Sequence, residues 1–212
     1  MSKLETNTID NISGSSTLTV GDSNTSTISI PKNITLGASG TTITVPSGAT
    51  ITNNGTQTGF GGTNTPAFEA YLSANQTVSD GAETKAQVNT EVFDTDNCYD
   101  NSTNYRFTPT VAGKYFVYGK VAVDEAAGNT RLGISMIFKN GSEVGRAFVN
   151  FDVSGFPEGE GCAVTNTAIV DMNGSSDYIE LYGVHDVLSG SGRFQGDATR
   201  RYTSFGAYRI IT

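Results

Sequence analysis

Arg131-Leu132-Gly133-Ile134-Ser135-Met136-Ile137-Phe138-Lys139 runs into Asn140-Gly141 and on into Ser142-Glu143-Val144-Gly145-Arg146-Ala147-Phe148-Val149-Asn150-Phe151. Asn-Gly between two β-rich runs is a strong short-range hairpin signal, because both residues accept the positive φ of a type I′ turn. The stretch predicts a hairpin pairing 131–139 with 143–151. A second pair, Asn173-Gly174, predicts another that joins 162–172 to 178–184.

The same texture continues outward from these hairpins. Further β-rich runs stand at Ala67–Leu72, Lys85–Val88, Tyr105–Thr108, Lys114–Val123 and Tyr202–Ile211, separated by turn signals, and no amphipathic helix of useful length interrupts them. Short strands in this number over residues 66–212 predict an all-β sandwich.

Before Pro66 the chain changes character. Residues 1–65 of the 212 contain no Tyr, no Cys and a single Phe, Phe60, so this third cannot build an aromatic core of its own. It does carry a repeat. Thr27-Ile28-Ser29-Ile30-Pro31 returns fifteen residues later as Thr42-Ile43-Thr44-Val45-Pro46, and the register holds through Ile34-Thr35-Leu36 and Ala49-Thr50-Ile51. Leu18-Thr19-Val20 is a half-copy. Each copy holds two short apolar-polar-apolar strands, and the proline ends the first because it has no ladder donor. Alternation with period two leaves one dry face, made of Leu18, Val20, Ile28, Ile30, Ile34, Leu36, Ile43, Val45 and Ile51. These side chains are too sparse to offset the ordering of the backbone, so something else must cover them. Three parallel copies wrapped about one axis would do so. A single-chain solenoid has too few turns here, and a Ser/Thr linker has no reason to keep an apolar register. The expected organisation is a docking peptide over 1–16, a β-repeat shaft over 17–52, a Gly/Asn/Thr-rich neck over 53–65 and a head over 66–212.

A net charge of −8 argues against a binder that tracks nucleic-acid phosphates. Two cysteines, Cys98 and Cys162, make neither a disulfide framework nor a metal spacing, and free thiols are expected. No apolar segment follows Met1-Ser2-Lys3-Leu4-Glu5, and nothing approaches a membrane span. The expectation is a protein made in a cytosol, not exported by the ordinary route and not inserted in a membrane. His185 is the only histidine, which leaves no constellation for nucleophilic or zinc chemistry. Glu158 and Glu160 lie in a Gly-rich turn with nothing to separate their pKa values. Gly190-Ser191-Gly192-Arg193 reads as a loop and not a phosphate cradle. Asp94, Asp96 and Asp100 are the one candidate metal set, with oxygen ligands that suit Ca²⁺. Cys98 breaks their alternation. The chain reads as a non-enzyme with no required cofactor.

Phe107-Thr108-Pro109-Thr110-Val111-Ala112-Gly113-Lys114-Tyr115 resembles the centre of the C1q-domain signature, a Phe, five residues, then Gly-x-Tyr. Pro66–Leu72 resembles that family's first strand, Asp177-Tyr178-Ile179-Glu180-Leu181 a late core strand, and Ser204–Ile210 the last. Val117 and Gly119 stand where the family prefers aromatics, with Phe116 and Tyr118 on the opposite parity. The resemblance implies a C1q/TNF-like jelly roll that trimerises. Its core would hold Phe68, Tyr71, Phe107, Gly113, Tyr115, Tyr178, Leu181, Phe205 and Tyr208. The opening Lys3-Leu4-Glu5-Thr6-Asn7-Thr8-Ile9-Asp10-Asn11-Ile12-Ser13-Gly14 is similar to that of structural proteins of marine bacteriophages, whose N-terminus docks on the particle. That resemblance implies docking through Leu4, Ile9 and Ile12.

Together these readings give the expected function. The chain would be a homotrimeric fibre or decoration protein on a phage capsid or tail, made in an infected bacterium and held to other virion proteins by its N-terminus. Its head would contact host-surface glycans or envelope through the loops 152–161 and 185–201, with Phe156, Arg193 and Phe194. A free C1q-like lectin or adhesion module is the alternative, and a depolymerase is disfavoured for want of an acid/base pair.

Overall fold

The computed structural model describes residues 42, 44–50, 52, 64–124, 130–151 and 161–210. Leu4, Ile9, Ile12, Leu18, Val20, Ile28, Ile30, Ile34, Leu36, Ile43, Ile51 and Phe156 lie outside the described residues, as do Glu158 and Glu160. The chain divides into two compact units, Met1–Gln57 and Thr58–Thr212. In the first, Pro46 turns the chain: its carbonyl accepts from Ala49 N at 3.1 Å, and Gly48 takes φ +83°. None of that unit's described residues is in a strand ladder, and Val45 is 43% exposed in the single chain.

The second unit is built from β1 Ala67–Tyr71, β2 Gln76–Val78, β3 Thr84–Lys85, β4 Thr90–Asp94, β5 Tyr99–Asp100, β6 Arg106–Phe107, β7 Gly113–Asp124, β8 Thr130–Lys139, β9 Ser142–Asn150, β10 Gly161–Met172, β11 Ile179–Val187, β12 Gly192–Phe194 and β13 Ser204–Arg209. They form two antiparallel sheets. In the first, β7 is flanked by β10 on one side and by β13 and β12 on the other; β1 and β4 continue beyond β13, and β2 beyond β12. The second has the order β5-β6-β11-β8-β9, with β3 also on β11.

The hairpin at Asn140-Gly141 forms, with Leu132 opposite Asn150 and Lys139 opposite Ser142. Asn140 and Gly141 both take positive φ. The hairpin expected at Asn173-Gly174 does not form. Instead β10 pairs with β7 along its whole length, Gly161 opposite Asp124 to Met172 opposite Gly113, while β11 joins the other sheet. Asn173 Oδ1 accepts the amides of Ser175, Ser176 and Asp177 at 2.9–3.0 Å, and that cap bends the chain across from one layer to the other. Gly174 sits at φ +72° against the Val111–Ala112 backbone, where a Cβ would lie 2.3 Å from Ala112 N. Short polar strands such as β2, β4 and β12 carry no apolar alternation, so nothing periodic in the sequence announces them.

Between the layers lies an aromatic core. The Phe68 ring stacks at 4.5 Å on both Tyr99 and Phe107, with Phe205 edge-on at 5.1 Å. Phe68, Phe107, Tyr115, Leu181 and Phe205 have no accessible surface. Burial of each such side chain is worth about 1.5–3 kcal/mol. Tyr71, Tyr178 and Tyr208 are not core. Tyr208 is 40% exposed, and Tyr71 and Tyr178 are half-buried, covered by Arg201 and Arg106 at 5.1 and 4.5 Å from the ring centres. Each stands three residues from a residue that does face inward (Phe68, Leu181 and Phe205), and alternation puts positions three apart on opposite faces. Gly113 is half-buried at the start of β7, beneath the Arg209 side chain.

Both cysteines are free. Burial pushes the Cys162 thiol up to about 11 and raises that of Cys98 as well.

Candidate functional site

The carboxylates expected to hold a cation do not converge, and among the described residues no group of three His, Cys, Asp or Glu side chains is arranged for a metal. Each aspartate is engaged by its own near neighbours in the chain. Asp94 accepts from Tyr99 N at 2.7 Å, and Asp96 from Thr95 Oγ1 at 2.5 Å. Asp100 accepts from the amides of Ser102, Thr103 and Asn104 and from the Ser102 and Asn104 side chains. The amides of Thr103 and Ser102, foremost, hold its carboxyl well below the usual carboxylate range. The oxygens of the three aspartates are thus engaged separately and not gathered about one point.

Beside this capped turn runs an open groove of about 360 Å³, lined by Asn97, Cys98, Tyr99, Asp100, Asn104, Arg106, Thr108 and Thr110.

The residues expected to meet a receptor are placed differently. Phe194 is fully buried in the core, and Arg193 Nε donates to Asp124 Oδ1 at 2.8 Å. Residues 192–194 are strand and not loop, paired with β2 from Gly192 opposite Val78 to Phe194 opposite Gln76. His185 is buried next to them. Its Nδ1 accepts from Arg193 N at 2.8 Å, so the hydrogen is on Nε2, which donates to Thr130 Oγ1 at 3.0 Å. The histidine locks β11, β12 and β8 together and is closed to substrate.

What the head does present is one face of the β7 sheet. The row Ala67, Tyr208, Phe116, Ile169 crosses four strands in register. The next row is Phe93, Glu69, Gly206, Tyr118, Thr167. Ile169 is 65% exposed and Phe93 44%. Phe116 lies 5.4 Å from Tyr208 and 6.4 Å from Tyr118, centre to centre. Tyr118 crosses over Gly206 to donate to Glu69 Oε2 at 3.2 Å. Burial, and then the neighbouring Glu69 carboxylate, raise its hydroxyl pKa. Charges bound the apolar strip: the Lys114–Asp171 pair at 2.8 Å below, and Lys120 and Arg201–Glu69 above. Phe116 and Tyr118 fall on the parity opposite to Tyr115, and that parity is what brings them out.

Comparison with solved structures gives the backbone path. The Eiger TNF of S. frugiperda superposes on 68% of this chain and 92% of its own, with a TM-score of 0.52 and 9% sequence identity. The head is a TNF-like jelly roll. The globular domain of zebrafish complement 1qA protein is similar over 69% of this chain and 98% of its own, at 10% identity and a TM-score of 0.48. No family model and no curated protein matches the sequence. At such identities the likeness is one of fold, and function has to be argued from the jelly roll's own surface.

Proposed function

We propose that this chain is a non-enzymatic, homotrimeric surface protein of a bacteriophage particle, fibre or decoration, in which the jelly-roll head self-associates through the exposed face of the β7 sheet. The observation that carries the trimer is the row Ala67–Tyr208–Phe116–Ile169, aligned across four strands, in which Tyr208 and Ile169 are exposed in the single chain on either side of the half-buried Phe116. A contiguous aromatic strip with a charged rim has the anatomy of an interface. Packing such a strip about a three-fold axis closes a ring and covers the strip in every copy. The repeats of 17–52 ask for the same three-fold partner, since their dry face is too thin for one chain. The phage assignment rests on the opening Lys3–Gly14 segment and its resemblance to particle-docking N-termini. Host-surface glycans are the expected contacts of the head.

Native mass measurement of the purified full-length chain at micromolar concentration tests this directly. A trimer is expected, falling to monomer in Ile169→Glu combined with Tyr208→Ser, with the β spectrum retained because both side chains are exposed. A well-folded wild-type monomer would sink the proposal. Deleting 1–16 is expected to abolish incorporation into particles without changing the oligomer. Incorporation that survived the deletion would instead favour the free lectin-like module.

A further inference from the structure

The geometry points to the groove beside β5 and β6 as the head's ligand site, and to a neutral saccharide as its ligand. The groove's size falls at the lower end of the roughly 300–1,000 Å³ typical of small-molecule sites. Asn97, Asn104 and Thr110 are exposed along it and Thr108 half-buried, so amides and hydroxyls that both donate and accept dominate the wall. Its one cation is Arg106. The guanidinium rests on the Tyr178 ring, 4.5 Å from the centre, and makes no hydrogen bond or ion pair with any described residue, so its donors are available. A planar fork held on an aromatic face keeps its direction before a ligand arrives.

Charge selects the ligand class. Asp100, Arg106 and Glu180 stand in one cross-strand row, with Lys85 bonded to Glu180. Two carboxylates and two cations leave the row neutral, so a strongly anionic ligand gains little there. A metal is refused because the Asp100 oxygens are already taken by the 102–104 turn. Vicinal hydroxyls, each both donor and acceptor, match what remains. Among the described residues, two of the four non-glycine residues at positive φ, Asn97 and Tyr105, bracket this groove, as expected where backbone shape serves a site.

The inference rests on the reading that the head contacts glycans, and each groove lies within one chain. Saturation-transfer NMR on the full-length protein, with the methyl glycosides of glucose, galactose, mannose and N-acetylglucosamine and with N-acetylneuraminic acid as the charged comparator, tests it. At least one neutral glycoside is expected to receive saturation. The signal is expected to fall about tenfold in Arg106→Ala and in Asn97→Gly, the second of which keeps the backbone conformation. It is expected to persist in Leu188→Ser, an exposed position just past the far end of β11. No transfer to any neutral glycoside, transfer to N-acetylneuraminic acid alone, or a signal unchanged in both groove variants would overturn the assignment. Binding by a chain found to be monomeric would leave the groove standing and remove the trimer.

Discussion

Gly206 has no side chain where Tyr118 needs to lie. A Cβ there would stand 2.3 Å from the Tyr118 ring, so any larger residue lifts the tyrosine off the sheet and parts its hydroxyl from Glu69. Gly206→Ala is therefore expected to cost about 1–3 kcal/mol, read as a lower urea midpoint at unchanged slope. A midpoint equal to wild type would mean that Tyr118 has another resting place. At this scale the sequence is legible in the core positions Phe68, Phe107, Tyr115, Leu181 and Phe205, whose burial follows from large apolar side chains in β-rich runs. It misleads where aromatics three apart are both assigned inward, as with Phe205 and Tyr208, because residue type says nothing of parity. Arg106 and Tyr178 are brought side by side only by strand pairing, which no local pattern encodes.

Among the elements, two Asn-Gly pairs with the same composition do different work. Asn140-Gly141 closes a hairpin, whereas Asn173 spends its carbonyl on three amides and sends the chain to the other sheet. The residues after each glycine make the difference: Ser142 enters a strand at once, while Ser175-Ser176-Asp177 supply amides for a cap. Asn173→Ala is expected to cost about 1–2 kcal/mol through the loss of that cap. Gly174→Ala is expected to cost more than about 2 kcal/mol, since positive φ and a backbone clash act together. Thermal unfolding of the two variants ranks them. Asn173→Ala proving the more harmful would show that the cap and not the close approach holds the corner.

For the whole molecule, titration bounds the stable range on both sides. Burial, with a smaller opposing pull from Arg209, pushes the Tyr115 hydroxyl up to about 12, above its ordinary value near 10. A raised folded value means that this stability is complete below pH 10 and is lost as pH climbs towards 12. Asp100 works in the opposite sense. Its depressed folded value contributes stability above about pH 4 that is lost as pH falls further. The urea midpoint is thus expected to hold level between these limits and drop outside them, with phenolate absorbance rising together with the alkaline loss. A level midpoint from about pH 10 to 12 would contradict the buried-phenol account. Mechanical load meets a different part of the framework. Arg209 N donates to the Asn64 carbonyl at 3.1 Å, so the chain enters and leaves the jelly roll at one end. β1, the first strand inside, is clamped on both edges by β13 and β4. A tug arriving through residue 64 pulls along β1, and the hydrogen bonds on both its edges, perpendicular to the strand, share that load in shear instead of peeling open one by one. The head is thus held on two edges along the strand that a tether would strain.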